Sequence, residues 1–270
     1  MRNFRASCLM LALAASLATP PANVLAAPLP PGSQLEDRAK TALLEMSDYL
    51  KASKSYSFHA DIQFDDVLPS GQKIAFSAES DISLRRPNGI YASQVAETGS
   101  RQLWFDGKQL TLLDPDGNTF AREMVSGNTD QALEHMIKEL HFTPPLADFL
   151  YEDPAKAMFK NTIHGFEVGM SPVEGIPCRH LAFVDNLIDW QIWIEAGKLP
   201  VPRKLVITYK TLPNSPQFSA RLTEWDFNSR LPDSRFRAII PAGAVQLPFM
   251  KEHDAAPQPD SAKSNTSPAR

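Results

Sequence analysis

The stretch SYSFHADIQFDDVLPSGQKIAFSAESDISL, residues 55–84, decides the fold. In its first half Tyr56, Phe58, Ala60, Ile62 and Phe64 alternate with Ser57, His59, Asp61 and Gln63. A repeat of two sends successive side chains to opposite faces of a strand, so one face is apolar and the other wet. Pro69-Ser70-Gly71 turns the chain, and Ile74, Phe76, Ala78, Ser80, Ile82 and Leu84 carry the alternation back. Two long strands joined by a turn begin an antiparallel sheet with one face to bury.

The same rhythm continues on either side. Strands are expected near 89–96, 101–105, 109–113 and 119–125, with Asp106-Gly107 and Asp116-Gly117-Asn118 as hairpin turns. Upstream, Leu35, Ala39, Ala42, Leu43, Met46 and Leu50 recur at helical spacing, which predicts an amphipathic helix over 33–53. Ser33 is its expected N-cap, with Glu36 as capping-box partner. Leu133, Met136, Ile137 and Leu140 share one side of a second helix over 128–140, capped by Asn128 or Thr129. Pro144-Pro145 ends it, and 146–151 and 154–159 read as short helical pieces. Strands resume near 163–168, 178–184, 189–195, 203–209, 218–225 and 235–240. The predicted class is mainly β with an α lid (α+β): one curved antiparallel sheet covered by an N-terminal helix and a central helical insert.

The ends read differently. Arg2 and Arg5 precede a short apolar run from Cys8 to Ala18, and Val24-Leu25-Ala26 offers the small residues of a cleavage site. Residues 1–26 are therefore expected to be a secretory signal peptide, with 27–250 as the folded domain in the periplasm. The run is about half the ~20 residues needed to cross a bilayer, so it targets rather than anchors. Residues 251–270 are Pro-, Ser- and Ala-rich and are expected to be a disordered tail. Cleavage would leave Cys178 as the one cysteine, which excludes an internal disulfide and fits a small buried hydrophobe. The formal net charge of −4 becomes about −6 without Arg2 and Arg5, which argues against nucleic acid as a partner.

One sheet face is unusually apolar: Leu181 and Phe183; Trp190, Ile192 and Ile194; Leu205, Ile207 and Tyr209; Phe218, Ala220 and Leu222. The helices available to cover it either close a dry core or roof a cavity that another apolar molecule can fill.

Three further motifs carry a resemblance. SLRRPNGIYASQ (residues 83–94), WFDGKQLTLLDPDGNTF (104–120) and SRFRAIIPAGAVQL (234–247) follow one another in order, after KSYSFHADIQF (54–64). This succession resembles the outer-membrane lipoprotein carrier superfamily of the Gram-negative periplasm (LolA/LolB-like). GIPCRHLAFVDNLIDWQIWIE (175–195) and LPVPRKLVITYKTLPNSPQFSA (199–220) resemble an uncharacterised branch of bacterial periplasmic proteins. The resemblance implies an open half-barrel that binds and carries the acyl chains of lipids or lipoproteins. It implies transient contact with a membrane or membrane protein, a monomer, and no cofactor or metal.

It also implies a role for Arg86, as the arginine that ties the lid down. Arg86 continues the parity of Ile74 to Leu84, so its side chain is expected at the rim of the apolar face, where it can bond lid carbonyls. The acyl-chain cavity is expected to be lined by Phe58, Ile62, Ile74, Phe76, Ile82, Leu181, Phe183, Trp190, Ile192, Leu205, Ile207 and Phe218. Leu133, Met136, Ile137, Leu140 and Phe142 are the expected lid residues, although simple helix packing would satisfy the same positions.

Enzyme chemistry finds little footing. The six histidines form no HExxH pair, and there is no Gly-x-Ser-x-Gly turn, phosphate loop or dinucleotide fingerprint. Asp65-Asp66 reads as a solvated turn edge. The alternative function is a sensor that recognises lipid or lipoprotein and signals to a protein partner, for which an exposed Trp193 would be a sign.

Overall fold

The computed structural model describes residues 35–249. The opening stretch folds into two strands of 13 residues each, β1 (Ser55–Val67) and β2 (Lys73–Arg85), paired antiparallel from Ser55 opposite Arg85 to Val67 opposite Lys73. From β2 the sheet grows through β3 (Gly89–Ala96), β4 (Gly99–Phe105), β5 (Gln109–Asp114) and β6 (Thr119–Met124). From β1 it grows the other way. The second run of strands is β7 (Thr162–Val173), β8 (Ile176–Asp185), β9 (Asp189–Glu195), β10 (Pro202–Thr208) and β11 (Gln217–Asp226), and β11 joins β1. With β12 (Val245–Gln246), the order is β12-β6-β5-β4-β3-β2-β1-β11-β10-β9-β8-β7. All pairs are antiparallel except β12 on β6.

Register turns the separate apolar stripes into continuous rows across strands. Leu181, Ile192, Leu205, Ala220, Ile62 and Ala78 stand opposite one another in turn across β8, β9, β10, β11, β1 and β2. Phe183, Trp190, Ile207, Phe218, Phe64 and Phe76 form the next row. In the other half, Phe58, Ile82, Ala92, Leu103 and Leu112 form a third. Cross-strand neighbours on one face are close enough to pack, so each row is an apolar ridge, buried along the first row and half-buried at Phe64, Phe76, Ile207 and Phe218 in the second.

Helices fill the concave side. α1 (Asp37–Ala52) buries Ala39, Ala42, Leu43, Met46 and Leu50 and lies against β7, β8 and β9. The insert between β6 and β7 contains α2 (Thr129–Lys138), a 3-10 turn at Ala147–Phe149 and α3 (Pro154–Phe159). Asn128 caps α2: its side chain accepts from Gln131 N at 2.9 Å, and Gln131 Oε1 accepts from Asn128 N at 2.9 Å.

Two expectations are corrected. The first helix starts at Asp37, with Glu36 at the N-cap position and no side-chain cap bond. Glu36 N donates instead to Gly165 O (2.9 Å), and its carboxylate accepts from Glu167 N (3.2 Å). The chain therefore enters α1 along the edge of β7, and tertiary pairing rather than a local cap sets the start. Ser33 lies outside the described residues, as do the expected signal peptide (1–26) and tail (251–270).

The strand expected over 235–240 is not formed. A 3-10 turn at Asp233–Phe236 brings side chains three apart, Asp233 and Phe236, to the same side, as an alternating strand cannot. The Arg235 guanidinium lies 3.8 Å from the Tyr91 ring centroid, and Phe236 packs under Arg85 (4.7 Å) and against Gly89. Arg85 also pairs with Asp233 at 2.7 Å. This segment crosses the convex face of β2 and β3 before the chain reaches β6.

Candidate functional site

The insert is bonded to the sheet and to α1 at a few polar points. Arg86 Nη2 donates to Tyr151 O at 2.8 Å, and Tyr56 OH donates to Phe149 O. Both reach from the β1–β2 hairpin to the carbonyls around the 3-10 turn. Thr129 N donates to Pro87 O at 2.8 Å. Asp153 caps α3 by accepting from Lys156 N (3.1 Å), while Ser47 (3.3 Å) and Lys51 (3.2 Å) of α1 also bond its carboxylate. Arg86 Nε is buried without a hydrogen-bond partner among the described residues. Burial pushes the Tyr56 phenol far above its usual range, and the nearby Arg86 charge opposes that shift without overcoming it.

Under these ties the interior is well filled. Phe58, Ile62, Ile82, Leu181, Phe183, Trp190, Ile192 and Leu205 are buried; Ile74, Phe76, Ile207 and Phe218 are half-buried near strand ends. On the insert, Leu133, Met136 and Leu140 are buried, whereas Ile137 and Phe142 are half-buried. α1 with Leu43, Met46 and Leu50, and the insert with Leu133, Met136, Phe149 and Leu150, occupy the space between.

Among the described residues, a cavity lies at each of two seams between insert and sheet. The first, ≈ 160 Å³, is lined by Trp190, Leu205 and Ile207 of the sheet, Ala157, Met158 and Asn161 at α3, Ile188, and the carboxylates of Asp148 and Asp185. The second, ≈ 220 Å³, lies between the third row (Ala92, Leu103, Leu112) and the Phe142-Thr143-Pro144-Pro145 strap, with Gln94 and Arg101 at its edge. Phe249 stacks on Phe142 beside it, with centroids 6.3 Å apart. Of the residues predicted to line a cavity or lid, Trp190, Leu205, Ile207 and Phe142 border these openings; Ile74, Phe76 and Ile137 are half-buried outside the packed core, and the others are packed in or against it. Ala92, Leu103 and Leu112 were not legible in the sequence, because Tyr91, Trp104 and Leu113 put large apolar side chains on the other parity of the same strands and blur the alternation. Asp148 was missed as well, although one charge inside Leu146-Ala147-Asp148-Phe149-Leu150 is a visible anomaly.

A larger groove, ≈ 440 Å³, lies on the convex face under the tip of the β7–β8 hairpin, lined by Asp61, Glu174, Trp193, Lys204 and Arg221 among others. Its charges answer one another: Arg221 pairs with Asp61 and with Glu174, both at 2.8 Å. Trp193 is half-buried there, stacked on His180 at 4.0 Å with Lys204 4.7 Å from its centroid. It is not the exposed aromatic that a sensor reading would use. Cys178 is wholly buried, and burial pushes its thiol up. Among the described residues, no group of three or more His, Cys, Asp or Glu is placed to hold a metal ion, and no helix is long and apolar enough to cross a membrane.

An open antiparallel sheet, curved over one long helix and a tethered helical insert with apolar seams beneath it, defines a half-barrel with a helical lid. The chain belongs to the family described as predicted periplasmic protein (DUF2092), whose pattern matches residues 39–250, and it is accordingly a periplasmic protein. No curated protein matches it. Similar solved structures include the lipoprotein LppX of Mycobacterium tuberculosis, at 12% identity and a TM-score of 0.44, covering 73% of this chain and 100% of that one. LprF of Mycobacterium bovis aligns at 12% identity and a TM-score of 0.42, covering 74% of this chain and 98% of that one. A LolA superfamily protein of Nitrosomonas europaea aligns at 10% identity and a TM-score of 0.36, covering 74% of this chain and 97% of that one.

Proposed function

We propose that this protein binds the acyl chains of lipids or lipoproteins between its sheet and its helical insert, and passes them between membranes as a carrier. The observation that carries this reading is the placement of unfilled volume. Both seam cavities lie where an inner apolar row of the sheet meets the insert. Each is smaller than the roughly 300–1,000 Å³ of a typical ligand site, so a long chain enters only when the insert lifts. Burial is worth about 0.8 kcal/mol per methylene, and a chain of roughly 16 carbons would gain over 10 kcal/mol. Release is then the harder step. An insert whose Leu133, Met136 and Leu140 compete for the same rows lowers net affinity and makes transfer reversible. Arg86 is the latch in this scheme, holding Tyr151 O when the insert is closed. The protein needs no catalytic group or cofactor for this task.

The test is to purify the protein natively from the periplasm and analyse an organic extract by mass spectrometry, alongside uptake of a fluorescent fatty acid. Stoichiometric acyl lipid or lipoprotein, reduced in folded Leu133→Asp and Ile192→Asp variants, supports the reading. A clean extract with no uptake rejects it and leaves the insert as permanent core.

A further inference from the structure

Asp148 has a setting that acyl-chain binding leaves unexplained. It sits on the 3-10 turn between the buried Ala147 and Phe149 and faces the cavity formed with β9, β10 and α3. Partly accessible by surface area, it is accessible to this cavity, whose wall it forms. No hydrogen bond or ion pair reaches its carboxylate among the described residues. Burial pushes the Asp148 carboxyl above the usual carboxylate range, and no neighbouring cation offsets it. Asp185, on the opposite wall, commits one oxygen to Leu187 N at 2.9 Å. Trp190, stacked on Phe183 at 4.0 Å, is the aromatic wall between them.

A partnerless carboxylate beside Trp190, Leu205, Ile207 and Met158, with Asn161 and Asp185 as the other polar groups of the wall, is costly unless a positive partner arrives with the ligand. A fatty-acid carboxylate or a phosphate would be repelled there. A primary ammonium would satisfy Asp148 by a charge-assisted bond, and the methylenes next to it would lie along Trp190, Leu205 and Ile207. We infer that this cavity is a head-group subsite for an amine-bearing lipid, with Asp148 pairing its ammonium and the inner row of the sheet taking the start of its chain. The inference rests on the acyl-chain reading and adds to it a choice of head group.

The experiment measures binding of dodecylammonium, dodecanol and dodecanoate to the intact protein by calorimetry, below their aggregation concentrations. It is repeated on Asp148→Asn, with the fold checked by circular dichroism. The expected result is that dodecylammonium binds about tenfold or more tighter than dodecanol, with dodecanoate weakest. In Asp148→Asn the advantage of dodecylammonium over dodecanol falls to near unity. Equal binding of all three by the parent protein overturns the subsite and leaves acyl-chain binding standing. An ammonium preference that survives in Asp148→Asn overturns the role of Asp148. Binding of none of the three overturns the acyl-chain reading, and the subsite falls with it. If Asp148→Asn fails to fold, the ranking of the three amphiphiles on the parent still decides whether the protein prefers an ammonium, and Asp148→Ser takes the variant's place.

Discussion

Replacing Arg86 with leucine tests whether the insert is a lid or a fixed part of the core. A hydrogen bond from a charged donor such as Arg86 Nη2 to Tyr151 O, here 2.8 Å, contributes about 1.5–3 kcal/mol. The partnerless Nε offsets part of it, because a buried unsatisfied donor costs about 1–3 kcal/mol. Leucine removes both terms and leaves Tyr151 O without this partner only while the insert is closed; water satisfies that carbonyl when it opens. The gap between closed and open should shrink by about 1–2 kcal/mol, raising the open population about 5- to 30-fold. Native-state hydrogen exchange reads this directly. Amides of α2, and those of Phe149 and Leu150, should exchange faster by that factor, while amides of β9 and β10 stay as protected as in the parent. Arg86→Lys, with one donor able to reach Tyr151 O, should fall between. Unchanged protection in α2 would refute the latch. Equal loss across the insert and the strands would show that the insert opens only with global unfolding.

Other outcomes follow from packing and charge. In Gly165→Ala the new Cβ would lie 2.2 Å from Phe183 Cδ1, and Phe183 is stacked on Trp190, so melting should report a loss of about 1–3 kcal/mol. Asn128→Ala removes the side-chain half of the α2 cap, the bond accepted from Gln131 N, and should cost about 1 kcal/mol, again seen first as faster exchange in that helix. Asp61 is held below the usual carboxylate range, chiefly by its bond from Arg221. The stability it supplies is present above the ordinary Asp pKa of 3.8 and is lost as pH falls through its lowered value. Acid titration of Arg221→Ala should therefore show a shallower loss of stability below pH 3.8 than the parent. Asp148 is the opposite case. Its raised pKa means the folded state keeps the proton longer, so stability declines as pH rises from 3.8 toward that value and then levels off. Asp148→Asn should melt higher than the parent at pH 7, with the advantage vanishing below pH 3.8; a constant difference at all pH values would show that the carboxyl is not burdened by burial.

The sequence determined what short-range forces govern. The alternation from Tyr56 to Leu84 fixed two strands and the face each side chain takes, because a period of two admits no other assignment. Asn128 or Thr129 marked the start of α2, and Pro154 that of α3, because those side chains or rings act on backbone groups within one turn. Family motifs and apolar spacing also made the single sheet with its helical cover legible. Tertiary structure alone decided which stripes meet. Ile62 stands between Ala78 and Ala220, and nothing in residues 55–67 names a partner 158 positions away, because periodicity specifies a face and not a neighbour. The start of α1 at Asp37 depends on the edge of β7, and the turn at Asp233–Phe236 on Tyr91, Arg85 and Gly89. The two seam cavities and the partnerless carboxylate of Asp148 exist only where the insert meets rows assembled from distant strands. The local pattern sets what each segment buries; long-range pairing sets what it is buried against, and hence where space and charge are left over.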